Sequence, residues 1–381
     1  MDADRRAWGR SVTISVAEFT LANTLLRQRY DQLFEACPNA FIQQSTYWAE
    51  TIAEFGPDQP IFLLAEVDGV AAGGLPLYLF EGPSGNALIS VPHPGPLGGV
   101  FVRPGLPAEA VEVVYASLLT RALGAAQARQ CLTLTLLTNP FEDDLPRYRR
   151  HLAPEIIYEN FTQFARLPEI VTADGQICLP DYGRRSNLSR NLRAARAAGF
   201  TLKVCETEAD LEGLYAVHVQ RHQEMEVEPF PVGLIWNIQR ELVSRNKARL
   251  LLVKEGEAIA SGCIYIYHRA VLDVLRLSRD SRFAHQGPNF LNTEHSLLWG
   301  RQQGIQIYNW QSSSQREDGV YRYKQQWGAH ETPYYFVTRL LCPPGQLEAI
   351  GVERLKADYA GHFVVPYAAF EGGFHTGCFR K

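Results

Sequence analysis

The stretch that decides the fold occupies residues 304–328 and reads GIQIYNWQSSSQREDGVYRYKQQWG. Its apolar alternation predicts a strand over 305–311, and a short helix is expected over 320–327. Positions 320, 323, 324 and 327 have the i, i+3, i+4, i+7 spacing of a buried helical stripe. Lys324 lies within that stripe, although only six of the 37 basic residues are lysines. Its ammonium therefore either extends to solvent or points into a polar cleft and meets an anion.

The elements that precede this stretch occur in an order that the chain uses twice. In the first half, an Asp68-Gly69 turn joins strands 61–67 and 70–80, and helix 107–128 and strand 131–137 follow. In the second half, a Glu255-Gly256 turn joins strands 248–254 and 257–268. Strand 271–279, a helix over 288–303 that begins at Pro288, and strand 305–311 come next. The repeated order predicts an α+β fold in which each half is a mixed, mostly antiparallel sheet packed with helices.

Domain boundaries follow from this repetition. We expect an N-terminal domain over 1–175, a C-terminal domain over 176–345, and a helix and tail over 346–381. Further helices are predicted at 17–36, 45–55, 186–198, from about 211, at 232–245 and at 346–359. Further strands are predicted at 201–205 and 332–341.

Composition limits the class of protein. The 381 residues are 46% hydrophobic and carry a net charge of −4, which argues against a chain whose whole surface binds DNA. No window approaches the roughly 18 apolar residues of a membrane span, and no apolar signal region follows Met1. The seven cysteines form no CxxC pair, as is typical of reduced thiols. We therefore expect a cytoplasmic protein without a membrane span.

The densest cluster of charge surrounds the helix predicted at 186–198. Its basic residues are Arg184, Arg185, Arg190, Arg193, Arg196 and Lys203. Three of the arginines form a stripe opposite the apolar face of the helix, and guanidinium groups bind phosphates bidentately. The face is therefore interpreted either as a phosphate-binding surface or as a solvated face. In the second case its charge is neutralised by the nearby acids Glu206, Glu208, Asp210 and Glu212.

Two weaker signals lie nearby. Gly287 and Asn289 flank Pro288 at a helix start, where free backbone N–H groups suit a phosphate or a developing oxyanion. His218 and His222 are four residues apart, but a metal site needs a third ligand that the spacing does not identify, so no metal is expected. The chain contains no GxSxG, GxxxxGK[ST], GxGxxG or HExxH motif.

Together these motifs resemble the FemAB-like branch of the GNAT acyltransferase superfamily, whose members have two GNAT-type domains in tandem and include the peptidoglycan-bridge aminoacyltransferases. QSTYW at 44–48 resembles an early Q-S-x-x-W segment, and PGP at 94–96 resembles the G-P loop of the first domain. Residues 184–199 resemble the basic helix that opens the second domain. Residues 304–328 resemble the family ending, a G, a strand, D-x-G-x-S and then G-x-x-x-F-K-x-x-F-G.

The resemblance implies two tandem GNAT-like domains, of which the second is catalytic and the first is structural or binds the acceptor. In that family the lysine of the final motif lies at the substrate cleft, and it matches Lys324. Three departures are visible. Asn309 stands where many relatives have Asp, no lysine follows QSTYW within 49–55, and the [QR]-x-x-G-x-[GA] loop of coenzyme A enzymes is absent around Gly287.

The leading hypothesis is an acyl- or aminoacyltransferase that forms an amide on a small-molecule amine. Its donor is a co-substrate, either acyl-CoA or aminoacyl-tRNA, and no tightly bound cofactor is expected; charged tRNA is a partner under the second option. The alternatives are a bridge enzyme that acts on a nucleotide-linked peptidoglycan precursor, and a binding protein that kept the fold without the chemistry.

Each candidate residue has an expected role under this hypothesis. Lys324 supplies positive charge near an oxyanion or phosphate, and Lys324→Ala is expected to abolish transfer while leaving folding intact. Asn309, Tyr323 and Gln311 orient the substrate, with Ser312 beside them. The region of Gly287 and Asn289 presents backbone donors, and the arginine face holds a phosphate-bearing substrate.

Overall fold

A computed structural model describes residues 13–55, 59–90, 97–179, 182, 186–313, 315–359 and 364–365. Its strands are β1 Ile14–Phe19, β2 Gln59–Val67, β3 Val70–Gly82, β4 Gly85–Ile89, β5 Phe101–Val102, β6 Cys131–Leu137, β7 Ile156–Arg166, β8 Thr201–Val204, β9 Ala248–Glu255, β10 Ala258–His268, β11 Val271–Arg279, β12 Ile307–Asn309 and β13 His330–Leu340. Its α-helices are α1 Thr24–Ala36, α2 Thr46–Ile52, α3 Ala108–Ala128, α4 Leu145–Leu152, α5 Leu167–Ile170, α6 Asn187–Ala197, α7 Glu208–Glu224, α8 Val232–Asn237, α9 Pro288–Gln302, α10 Gly319–Gln326, α11 Pro344–Ile350 and α12 Val352–Asp358.

The chain divides into two compact units. The first contains the described residues of 1–49, 56–160 and 333–381, and the second contains 50–55 and the described residues of 161–332. The chain passes from the first unit to the second within β7. Residues 333–345, expected in the C-terminal domain, and the described residues of 346–381, expected as a separate segment, thus belong to the first unit, whereas 161–175, expected in the N-terminal domain, belong to the second.

In the first unit the strands are hydrogen-bonded in the order β1-β2-β3-β4-β6-β13, and β5 pairs with β3. The β4–β6 pair is parallel, whereas the neighbouring pairs β2–β3 and β6–β13 are antiparallel. Helix α3 packs against β2, β3 and β6 and buries its apolar side in the largest cluster of this unit. The QSTYW segment is largely buried, since Gln44, Ser45 and Trp48 are fully buried.

The second unit repeats this order with its own strands. They are hydrogen-bonded in the order β7-β12-β11-β10-β9-β8, and the β11–β12 pair is parallel. Helix α9 connects these two parallel strands and packs against β9, β10 and β11. Helix α6 buries Leu188, Leu192 and Ala195 as its sequence pattern predicted, so its arginines lie on the outer side. The predicted repetition of hairpin, helix and strand is present in both units, and in each the strand after the helix pairs in parallel with a strand that precedes the helix.

Several sequence predictions differ from the structure in their bounds. The helix expected over 17–36 is wrong in its first part, because residues 14–19 form β1 on the edge of β2 and Asn23 caps a later helix start through the N–H of Leu26. The helix expected over 346–359 is two helices, since Gly351 has φ +82° and interrupts it. The helix expected over 232–245 continues beyond α8 as a π-helical turn at Ile238–Val243. Strands β4 and β7 and helix α4 were not predicted.

Some predictions fall outside the described residues. These are the PGP loop at 94–96, Arg184, Arg185 and the glycine-rich tail after residue 371.

Candidate functional site

The site is built where two parallel strands separate. Strands β11 and β12 pair only between Val271–Asp273 and Ile307–Asn309. Beyond that point β11 continues to Arg279, while the N–H of Trp310 donates to the main-chain oxygen of Gln163 at 2.8 Å, on the side of β7. The edge of β11 over 274–279 that faces away from β10 therefore has no strand beside it among the described residues.

A cavity of about 640 Å³ occupies this opening. Its lining combines the diverging strand ends with helices α7, α9 and α10, namely Arg221, His222, Met225, Val227, Val274–Arg279, Gly287, Asn289, Phe290, Trp310–Ser312, Asp318–Val320, Tyr323 and Lys324. Four of these side chains are basic residues, Arg221, Arg276, Arg279 and Lys324, and Asp318 is the acid among them. The cavity lining therefore has an excess of positive charge, which suits an anionic ligand.

Lys324 lies in the last turn of α10, where its side chain is buried and does not extend to solvent. Its Nζ donates to the main-chain oxygens of Gln311 and Ser312 and to Oγ of Ser313, each at 2.9 Å. Burial lowers the pKa of Lys324 to about 7, while three acceptors match the three protons of an ammonium. The lysine thus meets neutral oxygens of its own chain and fixes the segment that forms one cavity wall.

Asn309 lies behind that wall and is fully buried. Its Nδ2 donates to Oδ1 of Asp273, and its Oδ1 accepts from Oγ1 of Thr162 at 2.7 Å and from the N–H of Gln311 at 3.2 Å. Both ends of the amide are occupied, and Asn309 is not among the described residues that line the cavity. The structure therefore corrects the expected substrate contact: Asn309 joins β11, β12 and β7 at the point where the strands separate.

Tyr323 lines the cavity beside the start of α9. Its hydroxyl donates to the main-chain oxygen of Asn289 at 3.0 Å and lies 2.8 Å from Oγ1 of Thr293. Burial raises the pKa of Tyr323 well above its ordinary value, so the phenol is neutral at physiological pH. Tyr323 and Asn289 were both predicted site residues, and this bond brings them together.

Gln311 and Gly287 both line the cavity in left-handed conformations. Gln311 has φ +58°, and its Nε2 is buried and has no hydrogen-bond partner among the described residues. Gly287 has φ +69°, and an added Cβ would lie 3.2 Å from the ring of Phe290 and 3.4 Å from the main-chain oxygen of Asn191. Ser312 contributes its carbonyl to Lys324 and also lines the cavity.

The arginines of α6 are exposed, as predicted, and are not among the described residues that line the cavity. Arg196 is paired with Glu294 at 2.6 Å and also donates to the hydroxyl of Tyr182. Its charge is therefore neutralised by an acid that the sequence did not indicate. Asp210, one of the expected acids, pairs with Lys203 at 2.8 Å instead. Among the described residues, Arg190 and Arg193 have no ion-pair partner. Asn191 places this helix next to Gly287.

Two cavity residues were missed or interpreted differently. Arg276 lies in β11, where a cation between Leu275 and Leu277 breaks an apolar strand, and that interruption is the signal that the sequence offered. His222 was considered only with His218 as half of a metal site. Within the described residues, no group of three His, Cys, Asp or Glu side chains is placed to hold a metal ion.

Comparisons with known proteins found one family match and several similar structures. The family model described as an acetyltransferase (GNAT) domain matches residues 183–325, which include the helix α6, the cavity strands and α10. The crystal structure of FemX is similar to this chain with a TM-score of 0.64 and 14% identity, over 85% of this chain and 97% of that one. L-PGS from Bacillus licheniformis is similar with a TM-score of 0.55 and 13% identity, over 86% and 95%. No curated protein matches the chain in sequence.

These findings confirm the predicted resemblance to the FemAB-like branch of the GNAT superfamily and the α+β fold. At such low identity the similar structures establish the fold alone. Among the described residues, no helix has the length and apolar character needed to cross a bilayer.

Proposed function

We propose that this chain, whose residues 183–325 match the GNAT acetyltransferase domain, is an N-acyltransferase that joins an activated acyl group to the amine of a small molecule. The observation that supports this most is the opening between β11 and β12. The two parallel strands pair over three residues and then enclose a cavity with an excess of basic residues. Amide formation needs two substrates held in one cleft, and this is the cleft that the fold provides.

The donor lies in this proposal along the free edge of β11. Backbone N–H and C=O groups over 274–279 that face the opening can pair with an extended ligand as a further strand would. Arg190 and Arg193, which have no described ion-pair partner, lie on the helix beside Gly287 and suit the phosphates of the donor. Both acyl-CoA and aminoacyl-tRNA combine an activated carbonyl with phosphates, so both remain candidate donors.

In this proposal Lys324 does not contact the substrate but positions the segment that contains Gln311 and Ser312. Its ammonium binds the carbonyls of Gln311 and Ser312, which holds Gln311 in its left-handed conformation with Nε2 unpaired. A donor without a partner beside the reaction cleft suits the oxygen of the acyl group, whose negative charge grows in the tetrahedral intermediate. The role of Lys324 thus becomes positioning, in place of the direct contact with an oxyanion or phosphate expected from the sequence.

The test uses two donors in parallel. The purified chain is incubated with a mixture of small amines and either acetyl-CoA or tRNA charged with a mixture of amino acids, and amide products are identified by mass spectrometry. We expect amide product with one of the donors. A thermal shift with a donor but no product from either would favour the non-catalytic binding protein, and neither shift nor product would refute both functions.

A second candidate is a transferase that acts on a nucleotide-linked peptidoglycan precursor, favoured by the similarity of fold to FemX over nearly the whole of that chain. A UDP-linked muropeptide added to the amine mixture separates the two candidates. If the muropeptide is the amine that is acylated, the second candidate replaces the first.

A further inference from the structure

The guanidinium of Arg276, which lines the cavity, is not paired with an acid among the described residues. Nη1 of Arg276 donates to the main-chain oxygen of Leu275 at 3.1 Å, while its Nε is buried without a partner. The guanidinium stacks 4.2 Å from the ring centre of Phe230. Among the described residues, no carboxylate pairs with Arg276, and burial alone lowers its pKa to about 10. A cation held in this way at a cavity is suited to an anion that the ligand brings.

A histidine that lines the same cavity has one ring nitrogen without a hydrogen-bond partner among the described residues. Nδ1 of His222 lies 2.9 Å from the main-chain oxygen of His218, and because a carbonyl only accepts, Nδ1 carries the proton. Nε2 is then an unprotonated acceptor, and it has no hydrogen-bond partner among the described residues. His222 lines the cavity, and its side chain is otherwise buried.

Phe230 connects the two groups. Its ring is stacked under Arg276, and its centre lies 5.2 Å from that of His218 and 6.4 Å from that of His222. Burial lowers the pKa of the His222 imidazole and the positive charge of Arg276 lowers it further, so the ring is neutral at physiological pH. An anion site and a base therefore lie side by side on the wall formed by β11 and α7.

We propose that the acceptor is an amine that also carries an anionic group, a carboxylate or a phosphate, with Arg276 binding the anion and His222 taking the proton from the ammonium. This inference rests on the proposed acyl transfer and names the class of its acceptor. It assigns His222 a catalytic contact and Arg276 a specificity contact.

The proposed step balances with a thioester or an aminoacyl ester. Nε2 of His222 takes one proton from the acceptor ammonium, and the amine nitrogen attacks the acyl carbonyl. The new C–N bond gives a tetrahedral intermediate, and the C–S or C–O bond breaks as this intermediate collapses. The thiol or tRNA hydroxyl leaves with a second proton from the attacking nitrogen, and His222 then releases its proton to water.

The charged groups that line the cavity with His222 come from three elements. They are Arg221 on α7, Arg276 and Arg279 on β11, and Asp318 and Lys324 at α10. The cations outnumber the acid, so they favour the neutral imidazole that a base requires, and an anionic acceptor bound at Arg276 reduces this effect.

Matched pairs of amines test the acceptor class, with acetyl-CoA and charged tRNA as separate donors. The pairs are L-lysine and cadaverine, L-phenylalanine and 2-phenylethylamine, and glucosamine 6-phosphate and glucosamine; the first two report on a carboxylate and the third on a phosphate. The native chain is expected to use the anionic member of at least one pair about 10- to 100-fold better in kcat/KM, the usual effect of a hydrogen bond to a charged group. Arg276→Gln should remove that preference, and Arg316→Gln, an exposed arginine paired with Glu331, should keep it.

The role of His222 has its own test. His222→Asn retains a side-chain donor for the main-chain oxygen of His218 and lacks the basic nitrogen. We expect kcat to fall by about 10²- to 10⁴-fold and the acid limb of the pH profile to disappear, with the unfolding midpoint unchanged. His330→Asn, at an exposed position, is the matched control and should keep the native profile.

The outcomes separate the two levels of the proposal. Equal rates of product from the two members of every pair, or a native pH profile in His222→Asn, overturn the acceptor assignment and leave acyl transfer standing. If no amine in the panel is acylated from either donor while the chain is folded, the acyl-transfer function fails and the acceptor assignment fails with it.

Discussion

The ammonium of Lys324 lies 2.9 Å from the main-chain oxygen of Gln311, thirteen residues earlier in the chain. This bond and two equal ones to Ser312 and Ser313 attach helix α10 to the segment that leaves β12. Oγ of Ser313 in turn donates to Oε1 of Gln163 on β7 at 2.7 Å. The lysine is therefore the centre of a network that sets the shape of one cavity wall.

Replacing Lys324 with methionine tests this network. The methionine fills similar volume but removes the three hydrogen bonds of the ammonium, of whose acceptors the Gln311 oxygen keeps the N–H of Gln163 at 3.3 Å, so we expect the free energy of unfolding to fall by roughly 1–3 kcal/mol. Transfer should be lost at the same time, because Gln311 is no longer held. Urea unfolding and product formation measure the two effects, and Lys356→Met on an exposed helix is the control. Lost transfer at unchanged stability would instead support the direct role that the sequence suggested.

Gly287 is the N-cap residue of α9, and we expect alanine to be poorly tolerated at this position. The left-handed φ of +69° costs an L-residue roughly 1–2 kcal/mol. The added methyl also presses on Phe290 and the backbone of Asn191. We expect Gly287→Ala to lower stability and to raise the KM for the donor.

Gly304→Ala is the matched control for Gly287→Ala. Its φ is +82°, and an added Cβ has no described atom within 4 Å, so it has the backbone strain without the contacts. Equal KM values for the donor in the two variants would show that Gly287 does not shape the site.

His218 predicts sensitivity of the fold to acid. Burial lowers its pKa to about 3, and its Nε2 accepts the N–H of Phe230 at 3.0 Å, which only the neutral ring can do. The unfolded chain binds this proton near pH 6.5 and the folded chain does not, so stability falls as pH decreases from 6.5 toward 3. At pH 5 the loss from this one group is about 2 kcal/mol.

His218→Gln keeps an acceptor for Phe230 without a titrating group. The difference in unfolding free energy between pH 7 and pH 5 should therefore be smaller by about 2 kcal/mol in this variant than in the native chain. His330→Gln, at an exposed position, should behave as native. The same pH dependence in all three proteins would show that His218 titrates normally.

The arginines of α6 are expected to differ in their effect on the donor. Arg196 is neutralised by Glu294, whereas Arg190 and Arg193 have no described ion-pair partner. Replacing Arg190 and Arg193 together with glutamine should raise the KM for the donor by roughly three- to tenfold at low salt, with a smaller effect at high salt. Arg196→Gln should change it less, and the opposite ranking would place the phosphates elsewhere.

The sequence predicted the second unit well because its signals are local. Apolar periodicity located β11, α9 and α10 within a few residues, and the apolar side of α6 fixed the outer position of its arginines. What it did not predict depends on contacts between distant segments. The pairing of Arg196 with Glu294 joins residues 98 positions apart, and the network of Asn309 joins β7, β11 and β12.

The contacts of Lys324 were likewise not predictable from the local sequence pattern. The stripe spacing identified a lysine that had to be either snorkelling or bound to an anion, and neither alternative describes it. Its acceptors are backbone carbonyls, whose direction depends on the left-handed turn at Gln311. Because a non-glycine residue rarely adopts that conformation, no sequence pattern indicated it. Arg276 and His222 both lie near Phe230, which is on a loop without a periodic pattern.

The most direct test of the central claim is amide hydrogen exchange over β11 and the start of the 310–313 segment, measured with acetyl-CoA and with charged tRNA in separate experiments. If the donor lies along the free edge of β11, one of the two should slow exchange within 274–279 and 310–313 and leave the parallel pair β4–β6 of the first unit unchanged. Unchanged exchange at 274–279 with both donors, or protection confined to the first unit, would contradict the placement of the acyl donor between β11 and β12.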